Sequence, residues 1–333
     1  IPPRLMSRLW CRLGGCTSQS QEPDEGVSAM KTGVAIADEH GLHNRSVIDR
    51  TELFVAQFRC GLVDEALQTA AETHALAETH APLLLPLVDY QAAYVHGLNG
   101  DPQRAAKLAW RAHGAWVRQG NRKGQGAAQY VLGHIALQQQ DHAAAELAFS
   151  TAIDNLEEVG DSKAAGLHVL LGVGAMEKGE FDRAAEIAEA SIDLCGKAGR
   201  FEWLAEDLIL LGQVEILRGN VAAAQHHLNR ALTLFKSGVD RYHLVTTELM
   251  LALAHIRDGK GLEGRARLEA CIAQVSDVKH LPDGGICHAI MVALIDLTTG
   301  APGADSRARE TVRSVAEGTP LGTKATRVLL RAL

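Results

Sequence analysis

The chain has 333 residues, of which 47% are hydrophobic and only 4% aromatic. Lys and Arg number 33 against 40 Asp and Glu, a formal net charge of −7, so nothing in the charge balance favours a phosphate backbone as partner. An aromatic-poor, Ala- and Leu-rich composition favours helices over β-branched strands, and no stretch of about 18 apolar residues is present to cross a membrane.

The first 44 residues read as a degenerate helical repeat with a polar insertion. "RLMSRLWCRLGG" has the pattern of an amphipathic helix, "CTSQSQEPDEG" interrupts it, and a second helix is expected from about Val27 to Glu39. The start at Ile1 rather than Met leads to the expectation that the chain is part of a longer protein. Arg4, Arg8 and Arg12 are read as a solvated face of the first helix.

Residues 45–300 repeat. Gly61, Gly100, Gln140, Gly179, Gly219 and Gly259 lie 39, 40, 39, 40 and 40 residues apart, and a fixed step of this size marks stacked helical hairpins. Five positions after each marker stands a small residue: Ala66, Ala105, Ala145, Ala184, Ala224 and Gly264. Twelve positions after it stand Thr73, Ala112, Ala152, Ser191, Ala231 and Cys271. Sites seven apart fall on nearly one face of a helix, so this face can lie close against a neighbour.

Seven positions before the marker, the first helix of each pair carries Ala93, Gly133, Gly172, Gly212 and Ala252, with Phe54 the exception, and a Leu usually precedes the small residue. Glycine within a helix costs about 0.5 to 1 kcal/mol relative to Ala, so its recurrence predicts close approach of another backbone. Residues 301–333 complete the chain as capping helices, "DSRARETVRSVAEG" and "TKATRVLLRAL", with a weaker small-residue pattern. Their Arg307, Arg309, Arg313, Lys324, Arg327 and Arg331 read as a solvated polar face.

Leu-Gly on the first helix and Ala spacing on the second resemble the tetratricopeptide repeat. Segments such as "LGHIALQQQDHAAAELAFSTAIDNLEEVGD" and "LGQVEILRGNVAAAQHHLNRALTLF" are similar to the long-helix variety in the sensor arrays of large ATP-dependent LuxR-type (MalT-like, STAND) bacterial regulators. The chain departs from that pattern in its period of about 40 rather than about 34 residues, and in lacking the repeated Trp and Pro of the motif. The resemblance implies an all-α, right-handed superhelical solenoid of antiparallel helix pairs, read as one continuous domain.

Catalytic and metal chemistry find little support. "GNRKGQG" and "GKAGR" lack the spacing of a phosphate-binding loop and fall at helix-to-helix junctions, where Gly supplies a left-handed cap. Cys11, Cys16, Cys60, Cys195, Cys271 and Cys287 contain no Cys-x-x-Cys pair, as expected of a cytoplasmic protein with reduced thiols. His74 with His80, and His226 with His227, lack a metal-ligating pattern. No catalytic residue, cofactor or metal is expected.

What remains is a binding wall on the first helices. Positions three before and one after the small residue of the Leu-Gly step hold Tyr90 and Tyr94, Tyr130 and His134, and Ile209 and Gln213, so that three of only four tyrosines fall there. Tyr combines a stacking face with a hydroxyl on a stiff side chain. Glu206 and Arg257 are expected on the same wall, while Trp110, Trp116 and Trp203 are expected to pack between hairpins. The expected function is a non-catalytic interaction or effector-sensing module of a larger bacterial regulator, binding a protein, a peptide or a small effector and not nucleic acid or membrane. The alternative is an autonomous scaffold that gathers other proteins through peptide binding.

Overall fold

The structure is a computed structural model, and it describes residues 1–17, 23–235, 241–274, 284–299 and 301–318. Among the described residues there are sixteen α-helices and no strand. They are α1 (Pro3–Thr17), α2 (Pro23–Glu39), α3 (His43–Arg59), α4 (Val63–His80), α5 (Leu85–Leu98), α6 (Pro102–Arg118), α7 (Arg122–Gln138), α8 (His142–Glu157), α9 (Lys163–Lys178), α10 (Phe181–Ala198), α11 (Phe201–Arg218), α12 (Val221–Phe235), α13 (Arg241–Arg257), α14 (Gly261–Gln274), α15 (Gly284–Leu297) and α16 (Ala304–Gly318). The chain divides into two compact units, Ile1–Ile135 and Ala136–Leu333, with the division inside α7. Within each unit successive helices pack side by side, and the odd-numbered first helices of neighbouring hairpins also touch, as α3 does α5 and α9 does α11.

The turns explain the period. All six marker residues have left-handed backbones, with φ from +60° at Gln140 to +84° at Gly179 and Gly219. A second series, Gly41, Gly120, Gly160 and Gly199, lies 20 residues from members of the first and is left-handed too. At Gly179 the backbone N–H donates to the Met176 carbonyl at 3.0 Å and the next N–H, of Glu180, donates to Ala175 at 2.9 Å, the Schellman pattern that satisfies the last carbonyls of a helix. After Gly179 the next residue, Glu180, is the N-cap of α10. Asp101 accepts from the Arg104 N–H, and Asp141 from the Ala144 N–H, each at 3.0 Å, so one side chain satisfies a free donor of the new helix.

Among the described residues the series breaks where Pro82 opens a short 3-10 turn over Pro82–Leu84 and Ala81 is non-helical at φ −144°, ψ 52°. A proline disfavours helical geometry in the residue before it, and the junction between α4 and α5 takes this other route.

The small-residue face packs as its spacing requires. Ala66, Ala105, Ala184 and Ala224 have no exposed surface, and Thr73, Ala112, Ala152, Ser191 and Ala231 are equally covered. At the glycine positions the close neighbour is chiefly a side chain rather than the expected backbone: a Cβ on Gly172 would stand 2.6 Å from Leu210 Cδ2, and one on Gly212 would stand 2.5 Å from Leu228 Cγ. The glycine is a socket for a leucine of a neighbouring helix. Phe54, the exception to the small-residue rule, is buried with Phe58, Ala66, Ala70 and Val95.

Three sequence expectations need correction or sharpening. Trp116 packs against Gly124 and Trp203 against Gly166, but Trp110 is 56% exposed and edge-on to His113, outside any core. Of the glycines expected to cap helices in "GNRKGQG" and "GKAGR", Gly120 and Gly199 are left-handed, whereas Gly124 lies within α7 and Gly196 within α10. Arg307 and Arg309 pair with Asp296 and Asp305; Lys324, Arg327, Arg331 and the helix expected over "TKATRVLLRAL" lie outside the described residues, and Cys287 falls within α15.

Candidate ligand-binding site

The α3, α5 and α7 helices bring three tyrosines to one place in the first unit. A cavity of about 370 Å³ is lined by Tyr90, Gln91 and Tyr94 of α5, Tyr130 of α7, Glu52, Val55, Ala56 and Arg59 of α3, Met30 of α2 and Gly15 of α1. Its size falls within the range of small-ligand pockets, about 300 to 1,000 Å³. The register is the same from hairpin to hairpin: Glu52 and Gln91 stand nine residues before their markers, and Val55 and Tyr94 six before. This wall repeats because side chains at equivalent helical positions point the same way.

Tyr90 is held by its own neighbours. Its ring is tilted against Trp116 at a centroid distance of 5.8 Å, beside Ala112 and Ala128. Burial pushes its hydroxyl pKa up to about 12, the nearby Tyr94 adds to that, and Arg59 opposes it. Tyr90 therefore stays protonated at any physiological pH, with a hydroxyl able to donate and accept. Tyr130 meets His134 edge-on at 4.5 Å, and His134 itself does not line the cavity.

Gln213, Glu206 and Arg257 lie in the second unit and none lines the cavity. Gln213 is 6% exposed, inside the α11 packing. Arg257 donates to the Ile216 carbonyl at 3.3 Å, a backbone role at the end of α11. Sequence reasoning stopped at the tyrosines and missed Glu52, Val55, Arg59 and Gln91. The signal was available, since moving back one period from Gln91 and Tyr94 reads off Glu52 and Val55.

Away from the cavity, the first helices carry buried polar groups that face the preceding hairpin. Asp49 accepts from Ser7 at 2.5 Å and pairs with Arg45; Asp89 pairs with Arg111 and lies 3.4 Å from His74; Gln129 meets His113 at 3.3 Å. In the second unit the corresponding Asp207 is fully covered, yet neither carboxylate oxygen has a hydrogen-bond partner in the structure. Burial raises its pKa to about 7, Glu206 adds to this, and Ser191 and Cys195, the polar side chains facing it, offset part of the rise. Cys195 is buried with its thiol pushed up to about 11, chiefly by burial, so Ser191, Cys195 and Asp207 have no reactive thiolate among them. Among the described residues no group of three or more His, Cys, Asp or Glu is placed to hold a metal ion.

The chain superposes on the crystal structure of NprR in complex with its cognate peptide NprX with a TM-score of 0.62 at 16% identity, covering 92% of this chain and 94% of that one. The fold is a tetratricopeptide-like helical repeat. The Rap conjugation gene regulator of plasmid pLS20, solved with the Phr* peptide, gives a TM-score of 0.63 at 11% identity over 100% of this chain and 95% of the other. A signal-transduction ATPase with a tetratricopeptide repeat sensor from Pyrococcus horikoshii gives 0.61 at 10% identity, covering 88% of this chain and 44% of that protein. No protein-family model matches the sequence, and no curated protein does. In tetratricopeptide-like terms, the cavity is built mainly by first helices of successive repeats, with Met30 of α2 beside them.

Proposed function

We propose that this tetratricopeptide-like chain is a non-catalytic binding module whose tyrosine-lined cavity receives a peptide or small effector, and that it serves as the sensing part of a larger bacterial regulator in the cytoplasm. The observation that carries the reading is the convergence of Tyr90, Tyr94 and Tyr130, from two helices, on one cavity. Such rings offer area for stacking at low entropic cost, and their hydroxyls can meet peptide groups. Support also comes from NprR and the pLS20 Rap regulator, each solved with a peptide, and from the tetratricopeptide sensor of the P. horikoshii ATPase. Free thiols at Cys11, Cys60 and Cys195 accord with a reducing compartment.

The test is a selection from a displayed random-peptide library together with a thermal-shift panel of metabolites. The expected result is a ligand whose affinity drops at least about tenfold in the Tyr94→Ala, Tyr130→Ala double variant, as loss of aromatic anchors at a binding site does. A ligand bound equally well by the double variant, or no ligand from either screen, would overturn the reading.

A further inference from the structure

The cavity contains two charged residues among its ten lining positions, Glu52 and Arg59, and both are exposed on α3. Neither makes an ion pair or hydrogen bond within the described residues. This sets them apart from their neighbours, because Arg45 is committed to Asp49, Arg50 to Asp38 and Glu72, and Lys31 to Glu65. Seven residues separate Glu52 from Arg59, which on an α-helix places them on nearly the same face and about 10 Å apart along the axis. Glu52 and Arg59 thus border the cavity from helix positions two turns apart, with the tyrosines alongside.

We propose that this pocket recognises a short free peptide, about three residues long, with its ammonium terminus at Glu52, its carboxylate terminus at Arg59 and an aromatic or apolar middle side chain against Tyr90, Tyr94 and Tyr130. The inference rests on the binding-module reading above and goes beyond it in ligand length, direction and terminal chemistry. An extended chain advances about 3.3 to 3.6 Å per residue, so three residues match the axial spacing of the two helix positions. A single amino acid holds its charges too close together to reach both, and a long extended peptide places its termini too far apart. Arg offers a carboxylate two parallel donors, and the acceptor-only Glu suits an ammonium group.

The experiment is calorimetry on the full chain with Gly-Phe-Gly, its N-acetyl form and its C-terminal amide. Each cap should weaken binding by about tenfold, the effect of removing one charge-assisted hydrogen bond. In Glu52→Gln the acetyl group should cease to matter while the amide still does, and in Arg59→Gln the reverse should hold. Both side chains are exposed, so the variants should melt as the parent does. Equal binding of capped and free peptides, the same cap sensitivity in both variants, or no binding of Gly-Phe-Gly at millimolar concentration would overturn this proposal. A library peptide of another length that needs Tyr94 and Tyr130 would leave the broader reading standing while this one falls.

Discussion

The indole of Trp203 on α11 lies against the Cα of Gly166 on α9, and a Cβ added there would run into the Cγ, Cδ2 and Cε2 atoms of the ring. Eight residues further along the same helix, Gly174 has nothing within 4 Å of the corresponding point. One helix thus carries two glycines with opposite consequences. Gly174→Ala should stabilise by about 0.5 to 1 kcal/mol through helix propensity. Gly166→Ala gains the same propensity but must displace a rigid ring near its root, and overpacking of about 1 to 3 kcal/mol should leave it less stable than the parent. Thermal melts of the two single variants decide this; a rise in Tm for both would show that Trp203 moves freely.

The small-residue face gives a second expectation. Ala184 is fully buried, and the carbonyl of this residue lies 3.4 Å from the point a Cβ on Gly172 would occupy. Ala184→Leu must push α9 and α10 apart and should cost about 1 to 3 kcal/mol. Glu186→Leu, two residues on at an exposed position, is the control and should change stability by less than about 0.5 kcal/mol. Equal denaturation midpoints for the two would contradict the packing.

Gln140 provides a third, because it is the one non-glycine residue with positive φ among the described residues, at +60°. A side chain in the left-handed region costs about 1 to 2 kcal/mol, which glycine does not incur. Part of that gain is offset by the extra freedom of glycine in the unfolded chain. Gln140→Gly should therefore stabilise by up to about 1 kcal/mol, measured by chemical denaturation, whereas Gly179→Gln in the equivalent turn should destabilise. Loss of stability in Gln140→Gly would mean that the glutamine side chain makes a compensating contact.

Much of the fold was legible because its causes are local and periodic. A left-handed residue every 40 positions, and Ala184 or Ala224 five residues later, leave a mark in the sequence that depends on nothing distant. The site was legible only where residue type is rare: Tyr90, Tyr94 and Tyr130 stood out in a chain with four tyrosines. Arg59 did not, since charged residues are common on solvated helix faces, and Glu52 was within reach only by stepping back one period from Gln91. Trp110 was misread for a related reason, because an aromatic residue at helical spacing looks the same whether the next hairpin covers it or water does. Gln213 and Arg257 share the register of the wall, and what the sequence could not convey is that one is enclosed by α11 packing and the other turned to a backbone carbonyl.

The last expectation concerns pH. Asp207 is enclosed without a hydrogen-bond partner, and burial raises its pKa to about 7, against about 3.9 in an unfolded chain. The folded protein therefore holds this proton more tightly than the unfolded one. Its contribution to stability is intact below about pH 4, falls as pH rises between the two values and is fully lost above about pH 7. At about 1.36 kcal/mol per pKa unit, the loss between pH 5 and pH 8 is on the order of 2 to 3 kcal/mol. Asp207→Asn keeps the shape of the protonated acid and removes the charge. The variant should melt close to the parent near pH 4 and about 5 °C or more above it at pH 8, using the usual shift of about 2 to 4 °C per kcal/mol for a unit of this size. Glu206, exposed more than Asp207 and next to it in sequence, adds to the shift, so Glu206→Gln should reduce the pH dependence without abolishing it. Parallel Tm against pH curves for the parent and Asp207→Asn would mean that the carboxylate is already compensated in solution.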